Sequence, residues 1–175
     1  MNPLIKQLGT YAAYHRDPRN IATHLIGVPS ITFAVVLYLS RPLIDLGPVS
    51  VSLAWLLIPI VALGLYFRLD FKFGLTMTAA LVAMAFGAAP IARQSLGVWL
   101  GTATAIFVVG WIIQFVGHYF EGKKPAFVDD LMGLLIGPLF IAAEITFALG
   151  LRLEVKAAVE KVAGPVRVRQ LAPQS

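Results

Sequence analysis

The stretch that decides the fold runs from residue 17 to residue 40 and reads DPRNIATHLIGVPSITFAVVLYLS. Asp17 is a favourable N-cap and Pro18 suits the first position of a helix, so a helix is predicted to start there. Its apolar body, residues 21–39, is about 28 Å long at helical rise, close to the ~30 Å hydrocarbon core of a bilayer. The stretch is therefore predicted to be a membrane-spanning helix.

The composition of the whole chain is that of an integral membrane protein. Of its 175 residues, 58% are hydrophobic and only 13% are charged, whereas soluble domains carry about 25% charged residues. The chain has no cysteine, which excludes disulfides, thiolate metal sites, iron–sulfur clusters and cysteine nucleophiles. It has no basic patch interleaved with aromatic residues, so nucleic acid is not an expected partner.

Further apolar segments long enough to span a bilayer occur at residues 49–67, 73–92 and 96–119. Residues 3–15 repeat apolar side chains at spacings of three and four, which predicts a short amphipathic helix at the membrane interface. A fifth apolar segment, residues 131–151, contains Pro138 and Glu144. We interpret it as a broken or re-entrant segment that is buried in protein.

These segments predict an all-α fold, a polytopic membrane helix bundle of four full spans with an N-terminal interfacial helix and a fifth broken or re-entrant apolar segment. Residues 1–151 would form one integral membrane domain. Residues 152–175 would form a charged cytoplasmic tail, helical to about residue 162 and disordered beyond it.

The distribution of positive charge predicts the orientation in the membrane. With both termini in the cytoplasm, the basic residues facing inward are Lys6, Arg16, Arg19, Arg68, Lys72, Lys123 and Lys124, against Arg41 and Arg93 facing outward.

This topology brings three histidines to the cytoplasmic side. His15 ends the interfacial helix, His24 lies about 9 Å into the first span, and His118 ends the fourth. Protonatable side chains at a membrane are costly and mark functional sites, and neutral imidazole is the commonest ligand of transition metals. The break at Asp17-Pro18 lets His15 fold back, so the three histidines are predicted to hold one metal ion. The alternative for each is an interfacial side chain with no ligand role.

Polar side chains accompany the histidines. Asn20 shares a helical face with His24 at i,i+4. Gln114 and Glu121 lie four residues before and three residues after His118, on its face. Metal-bound histidines donate their second N–H to a carboxylate or an amide. Asn20, Gln114 and Glu121 are therefore candidate catalytic side chains that orient the ligands, and Glu121 could instead bind the metal directly.

Basic side chains crowd the same end of the bundle. Arg16, Arg19 and Lys123 are candidates for binding an anionic headgroup or substrate. The alternative is that they are ordinary positive-inside anchors, as basic residues beside cytoplasmic span ends usually are.

Two motifs carry a family resemblance. The first reads H-x4-N-x3-H-x4-P and runs from His15 to Pro29. The second reads Q-F-x-G-H-x-F-E-G-x-x-P-A and runs from Gln114 to Ala126. Both motifs and the order of the spans, over about residues 8–150, resemble the fungal endoplasmic-reticulum 2-hydroxy fatty acid dioxygenase family, which has many bacterial members.

The resemblance implies a non-haem iron dioxygenase of fatty-acid α-oxidation, with Fe(II) (Fe2+) held by His15, His24 and His118. Such an enzyme cleaves a 2-hydroxy fatty acid with O2 to the fatty acid one carbon shorter and CO2. Three histidines on an octahedral ion leave three positions, enough for a chelating 2-hydroxy carboxylate and O2. The expected partners are the 2-hydroxy fatty acid, O2 and membrane lipid. The expected location is the inner membrane of a bacterium or the endoplasmic reticulum of a eukaryote.

Other functions remain open from the residues alone. A non-catalytic lipid-binding or transport protein is the main alternative, although transporters carry polar residues at the midplane and inverted halves, which this sequence lacks. A haem protein with two axial histidines and a structural membrane protein are further alternatives. Imidazole also suits Zn, Cu and Ni, so the residues do not choose the metal.

Overall fold

The computed structural model describes residues 1–170, which are mostly helical. The helices are α1 (Pro3–Ala12), α2 (Pro18–Ser40), α3 (Leu53–Val61), α4 (Phe67–Leu69), α5 (Phe71–Ala92), α6 (Leu96–Glu121), α7 (Gly133–Ala148) and α8 (Leu153–Ala163). A π-helical stretch at Ala62–Tyr66 joins α3 to α4, and a 3-10 turn occupies Ala126–Val128. The two short strands are β1 (Leu43–Asp45) and β2 (Ser50–Ser52). The prediction of a largely helical protein is confirmed.

Three helices, α2, α5 and α6, are long and apolar enough to cross a membrane. They coincide with the predicted segments at residues 21–39, 73–92 and 96–119. Helix α2 begins at Pro18, as predicted, and Asp17 Oδ1 accepts the backbone N–H of Arg19 at 2.9 Å. This bond satisfies one of the free amides of the first turn, which is what an N-cap does.

The predicted span at residues 49–67 is helical only from Leu53. Strands β1 and β2 pair antiparallel, with Ile44 opposite Val51, and Gly47 turns the chain with a φ of 80°. Glycine adopts this left-handed conformation without steric cost. The helix that follows extends as Leu53–Leu69 and is about 25 Å long. A helix start at residue 49 is therefore wrong, because the hairpin takes up that part of the segment.

The fifth apolar segment forms one continuous helix, α7, instead of the break or hairpin that we predicted. Pro138 lies inside it and removes a single donor, the one that would bond the carbonyl of Leu134. Burial of Ile136, Leu139 and Phe140 holds the helix together across this missing bond.

Contacts divide the chain into two units, one made of Met1–Val28 and the chain from Trp111 onward, the other of Pro29–Gly110. In the first unit α1 packs against both α7 and α8. Its buried face consists of Leu4, Leu8, Tyr11 and Ala12. Tyr11 reaches α7, where its ring lies 5.1 Å from that of Phe140. Residues that are far apart in sequence thus form one small core beside the histidines.

The tail is more ordered than predicted. Its helix, α8, ends at Ala163, as expected, and buries Val155 and Val159. Residues 164–170 form no regular secondary structure but are bonded to the rest of the unit, since the N–H of Arg167 donates to the carbonyl of Arg16 at 2.9 Å. The prediction of disorder is therefore wrong for this part of the tail, and residues 171–175 lie outside the described residues.

In the second unit, polar contacts join the end of α2 to the start of α6. The Trp99 indole N–H donates to the carbonyl of Leu37 at 2.9 Å, and the hydroxyls of Tyr38 and Thr104 are 2.8 Å apart. Arg41 lies over the Trp99 ring at 5.2 Å. These bonds give α2 and α6 a fixed register at the end that is distant in sequence from the histidines.

Candidate metal centre

The three histidines predicted as ligands come together. His15 lies in the turn after α1, His24 in the second turn of α2, and His118 in the last turn of α6. Each offers one ring nitrogen, and these three nitrogens lie within 4.8 Å of one another. The histidines are buried, with His15 exposed by 0% and His24 by 1%.

Two of the histidines have a defined tautomer. The Nδ1 of His15 lies 2.8 Å from the carbonyl oxygen of Tyr11, and the Nδ1 of His24 lies 2.9 Å from that of Asn20. A carbonyl can only accept, so each Nδ1 carries the hydrogen and donates it. Each Nε2 is then left with a lone pair, and the two Nε2 atoms are 3.0 Å apart. Two facing lone pairs repel each other, and a bound cation removes that repulsion.

The environment keeps His15 neutral. Burial lowers the pKa of His15 well below its usual range, and the neighbouring His24 lowers it further. The Tyr11 ring stacks on His15 at 4.3 Å with an interplanar angle of 9°, and the Phe140 ring lies 5.5 Å away. A dry, neutral imidazole presents its lone pair rather than a proton at physiological pH, which is the form that binds metal.

His118 supplies the third nitrogen. Its Nδ1 is buried and has no hydrogen-bond partner among residues 1–170. A buried nitrogen without a partner costs about 1–3 kcal/mol, and a metal bond would remove that cost. Three neutral imidazoles are a donor set that fits Fe(II), as well as Zn, Cu or Ni.

The hydrogen bonds of Glu121 hold the turn that carries His15. Its Oε2 accepts the backbone N–H groups of Arg16 at 2.9 Å and Asp17 at 2.7 Å. It also accepts from the side-chain amide of Asn20 at 3.2 Å. At His15 and His24, the hydrogen bonds that we expected from side chains are instead made by the backbone carbonyls of Tyr11 and Asn20. Glu121 positions His15 through the backbone of the next two residues.

Asn20 links the same turn to α6. Its side-chain amide N–H donates to the carbonyl of Tyr14 at 3.2 Å as well as to Glu121. Its Oδ1 and the Oε1 of Gln114 are buried acceptors that have no donor among residues 1–170. Such acceptors are suited to a substrate hydroxyl or an ordered water.

Gly117 allows α2 and α6 to approach each other at the histidines. A Cβ at this position would lie 2.5 Å from Asn20 Oδ1 and closer still to Thr23 Oγ1. We did not single out this residue in the sequence for a role of its own, although it precedes His118 directly. Tyr11 and Phe140 were also missed, because their contact with His15 depends on how α7 packs.

The three basic residues predicted to bind substrate are bonded to protein atoms. The Arg16 guanidinium donates to the carbonyls of Ala12 at 2.8 Å and Gly164 at 3.0 Å. Arg19 forms an ion pair with Asp17 at 2.7 Å, and this hydrogen bond holds the pKa of the Asp17 carboxyl well below its usual range. Lys123 Nζ donates to the carbonyl of Ala13 at 2.7 Å. These side chains brace the region around His15, and a role in substrate binding stays a prediction.

The contacts of Glu121 lead to a testable expectation. Replacement Glu121→Gln removes the negative charge that accepts three hydrogen bonds, from the N–H groups of Arg16, Asp17 and Asn20. The new side-chain N–H group cannot accept from these donors, so we expect the turn that carries His15 to be held less firmly. We expect metal affinity to fall about 10- to 100-fold, as for other residues that orient ligands, in a calorimetric titration of metal-free protein. The matched control Glu154→Gln, on α8 with a side chain exposed by 74%, should leave the affinity unchanged. Equal affinities in the two variants contradict the positioning role.

The family model that matches the chain is described as "2-hydroxy-palmitic acid dioxygenase Mpo1-like" and covers residues 1–149. Among curated proteins, the chain is 33% identical over 160 residues to the 2-hydroxy-palmitic acid dioxygenase MPO1 of Saccharomyces cerevisiae, which covers 90% of this chain and 87% of the yeast protein. No solved structure matches the chain. The match spans both histidine motifs and all but the tail, and it confirms the resemblance seen in the sequence. The chain therefore belongs to the Mpo1-like family.

Proposed function

We propose that the protein is an Fe(II)-dependent dioxygenase that cleaves 2-hydroxy fatty acids with O2 to the fatty acid one carbon shorter and CO2. For a 2-hydroxy C16 acid, the C1–C2 bond breaks, C1 leaves as CO2, C2 becomes the new carboxyl carbon, and the remaining oxygen atom leaves as water. The name of the yeast relative supports this reaction. The observation that carries the proposal is the pair of facing Nε2 atoms of His15 and His24 at 3.0 Å.

Different residues of this chain would bind the metal and orient its ligands. His15, His24 and His118 would hold Fe(II), and the carbonyls of Tyr11 and Asn20 fix the rings through the bonds to Nδ1. Fe(II), when bound there, supplies the one-electron chemistry that lets O2 oxidise the 2-hydroxy acid.

The packing around the site would protect the reaction from water. Tyr11 and Phe140 cover His15, and Glu121 closes the turn below it. A site without bulk water strengthens the interactions of charged groups and limits side reactions of an oxidising centre. Asn20 Oδ1 and Gln114 Oε1, which are buried acceptors without a donor among residues 1–170, would accept a hydrogen bond from the 2-hydroxyl group.

We further propose four spans, with the histidines at the cytoplasmic side of an inner or endoplasmic-reticulum membrane. Helices α2, α5 and α6 are long enough to cross, and Leu53–Leu69 would be the fourth span. At about 25 Å it is shorter than the ~30 Å core, a mismatch that local thinning of the bilayer accommodates. Basic residues in the loops on the histidine side support this orientation. The acyl tail of a substrate would lie in the apolar phase beside its carboxyl group.

The reaction can be tested with purified protein loaded with Fe(II). Incubation with 2-hydroxyhexadecanoic acid labelled with 13C at C1 should give pentadecanoic acid and 13CO2, and only when O2 is present. Hexadecanoic acid, which lacks the hydroxyl, is the matched control and should be recovered unchanged. If folded, iron-loaded protein binds the hydroxy acid without converting it, the enzymatic proposal is wrong and a lipid-binding function replaces it.

A further inference from the structure

Residues 164–170, the C-terminal strap, lie beyond residue 149, where the family match ends. The strap is bonded to the segment that follows His15. Arg167 N–H donates to the carbonyl of Arg16 at 2.9 Å, and Arg169 N–H donates to Asp17 Oδ2 at 2.8 Å. In return, Arg19 donates to the carbonyl of Arg169 at 2.9 Å. Backbone bonds in both directions therefore fix where the strap runs.

The strap lines a cavity of about 620 Å³. Arg16, Asp17 and residues 121–123 line the same cavity. This volume is in the range of small-molecule sites, about 300–1,000 Å³. Two of its lining residues belong to the surroundings of His15, because Arg16 directly follows His15 in the chain and Glu121 accepts the backbone N–H of Arg16.

The charges in the cavity favour an anion. Its carboxylates are already engaged, Asp17 by Arg19 and Glu121 by backbone N–H groups. The guanidinium groups of Arg167 and Arg169 are different, since among residues 1–170 neither forms an ion pair or a side-chain hydrogen bond. Among the described residues, Arg167 and Arg169 therefore bring positive charge to the cavity that no carboxylate neutralises.

The position of the Arg169 guanidinium also depends on Gly122. A Cβ built on Gly122 would collide with Arg169 Nη1, so a side chain at residue 122 would displace the guanidinium. Gly122 has a φ of 67°, a left-handed conformation that glycine adopts freely. The loop after α6 therefore leaves room for Arg169 beside Glu121.

We propose that this cavity binds the carboxylate of an acidic, long-chain substrate and that Arg169, assisted by Arg167, determines the preference for an acid. The inference rests on the proposed function, because it concerns the substrate of the same site. A planar guanidinium binds a carboxylate through two parallel hydrogen bonds. The strap would thus add to the site a recognition group that lies outside the residues matched by the family model.

The test measures binding without metal, so that it does not depend on turnover. Metal-free protein in detergent micelles is titrated with 2-hydroxyhexadecanoate and, separately, with 1,2-hexadecanediol, which keeps the chain and hydroxyl but has no carboxylate. The variant Arg169→Ala keeps the backbone bonds of the strap and removes only the guanidinium. The matched control is Lys161→Ala, which removes an exposed positive charge on α8 outside the cavity.

We expect Arg169→Ala to weaken binding of the acid about tenfold, the size of one charge-assisted contact, and to leave binding of the diol unchanged. Arg169→Lys should restore part of the preference, and Lys161→Ala should behave as wild type. Equal loss of acid and diol, or loss of neither, overturns the proposal. If wild type binds the acid through Arg169 but forms no shortened product, carboxylate binding in the cavity is supported and the dioxygenase function is wrong. If shortened product forms at the same rate with and without the Arg169 guanidinium, the dioxygenase function is supported and the role of Arg169 is wrong.

Discussion

Replacing any one of the three histidines by alanine is expected to abolish tight metal binding. Loss of a residue that merely orients a ligand weakens metal sites by about 10- to 100-fold, and His15→Ala, His24→Ala or His118→Ala each removes a ligand itself. We expect wild-type protein purified without oxygen to carry stoichiometric iron and each variant to carry almost none, as measured by plasma mass spectrometry.

Stability gives a second readout of the same substitutions. Metal that binds only the folded state, at a thousandfold excess over Kd, stabilises it by about 4 kcal/mol. Addition of Fe(II) should therefore raise the Tm of wild type, whereas the three variants should not respond. Ser52→Ala, which removes a buried hydroxyl in the other unit, is the control for general damage. Iron retained at wild-type levels in all three histidine variants would remove the proposed site.

Gly117→Ala is expected to disrupt the metal centre without changing any ligand. The added methyl group would overlap Thr23 Oγ1 and lie 2.5 Å from Asn20 Oδ1. Both partners belong to the turn of α2 that carries His24, and the Cα of Asn20 lies 3.3 Å from the added Cβ, so we expect this turn to shift and to displace His24 relative to His118. Overpacking of this kind costs about 1–3 kcal/mol. We expect a lower Tm and a metal affinity reduced at least tenfold.

The same helix offers a matched control. Gly101 also lies in α6, and a Cβ there meets no atom within 4 Å. Because alanine has a higher helix propensity than glycine, Gly101→Ala should leave Tm and metal affinity unchanged or raise Tm slightly. If Gly117→Ala and Gly101→Ala behave alike, the close approach of α2 and α6 is not what assembles the site.

The meeting of the histidines could be predicted because it depends on local signals and on charge. Asp17-Pro18 predicts a helix start, and the structure has both α2 starting at Pro18 and His15 turned back toward His24, although α1 already ends at Ala12, before the predicted residue 15. Helices in long apolar segments can also be predicted from the sequence, since a bilayer leaves few alternatives to a helix. The short hairpin before Leu53 was missed because an apolar run suits a strand as well as a helix.

The partners of Glu121 were less accessible from the sequence. The spacing from His118 predicted that Glu121 lies near the site, but it did not predict which groups Glu121 would bind. The free amides of Arg16 and Asp17 arise only once the turn before α2 has formed, because a helix start leaves its N–H groups without partners. A carboxylate close by then satisfies them, which no spacing rule around His118 could have predicted.

The packing of residues 164–170 against the turn before α2 also could not be predicted from the sequence. Residues 164–170 read GPVRVRQ, a stretch with glycine, proline and charge but no helical period, which is typical of a loop. Its fixed position depends on Asp17 and Arg19, which are distant in sequence. Long-range hydrogen bonds of this kind can be recognised only when the fold is known.

The central claim is that three imidazoles bind a single iron ion, and X-ray absorption spectroscopy at the iron edge tests it most directly. Anaerobic protein loaded with Fe(II) should show the outer-shell scattering of imidazole carbons, fitted by the three histidines of the cluster. His118→Ala, reconstituted at high iron concentration, should show one imidazole fewer. A wild-type spectrum without imidazole scattering, or one that His118→Ala leaves unchanged, would contradict the account.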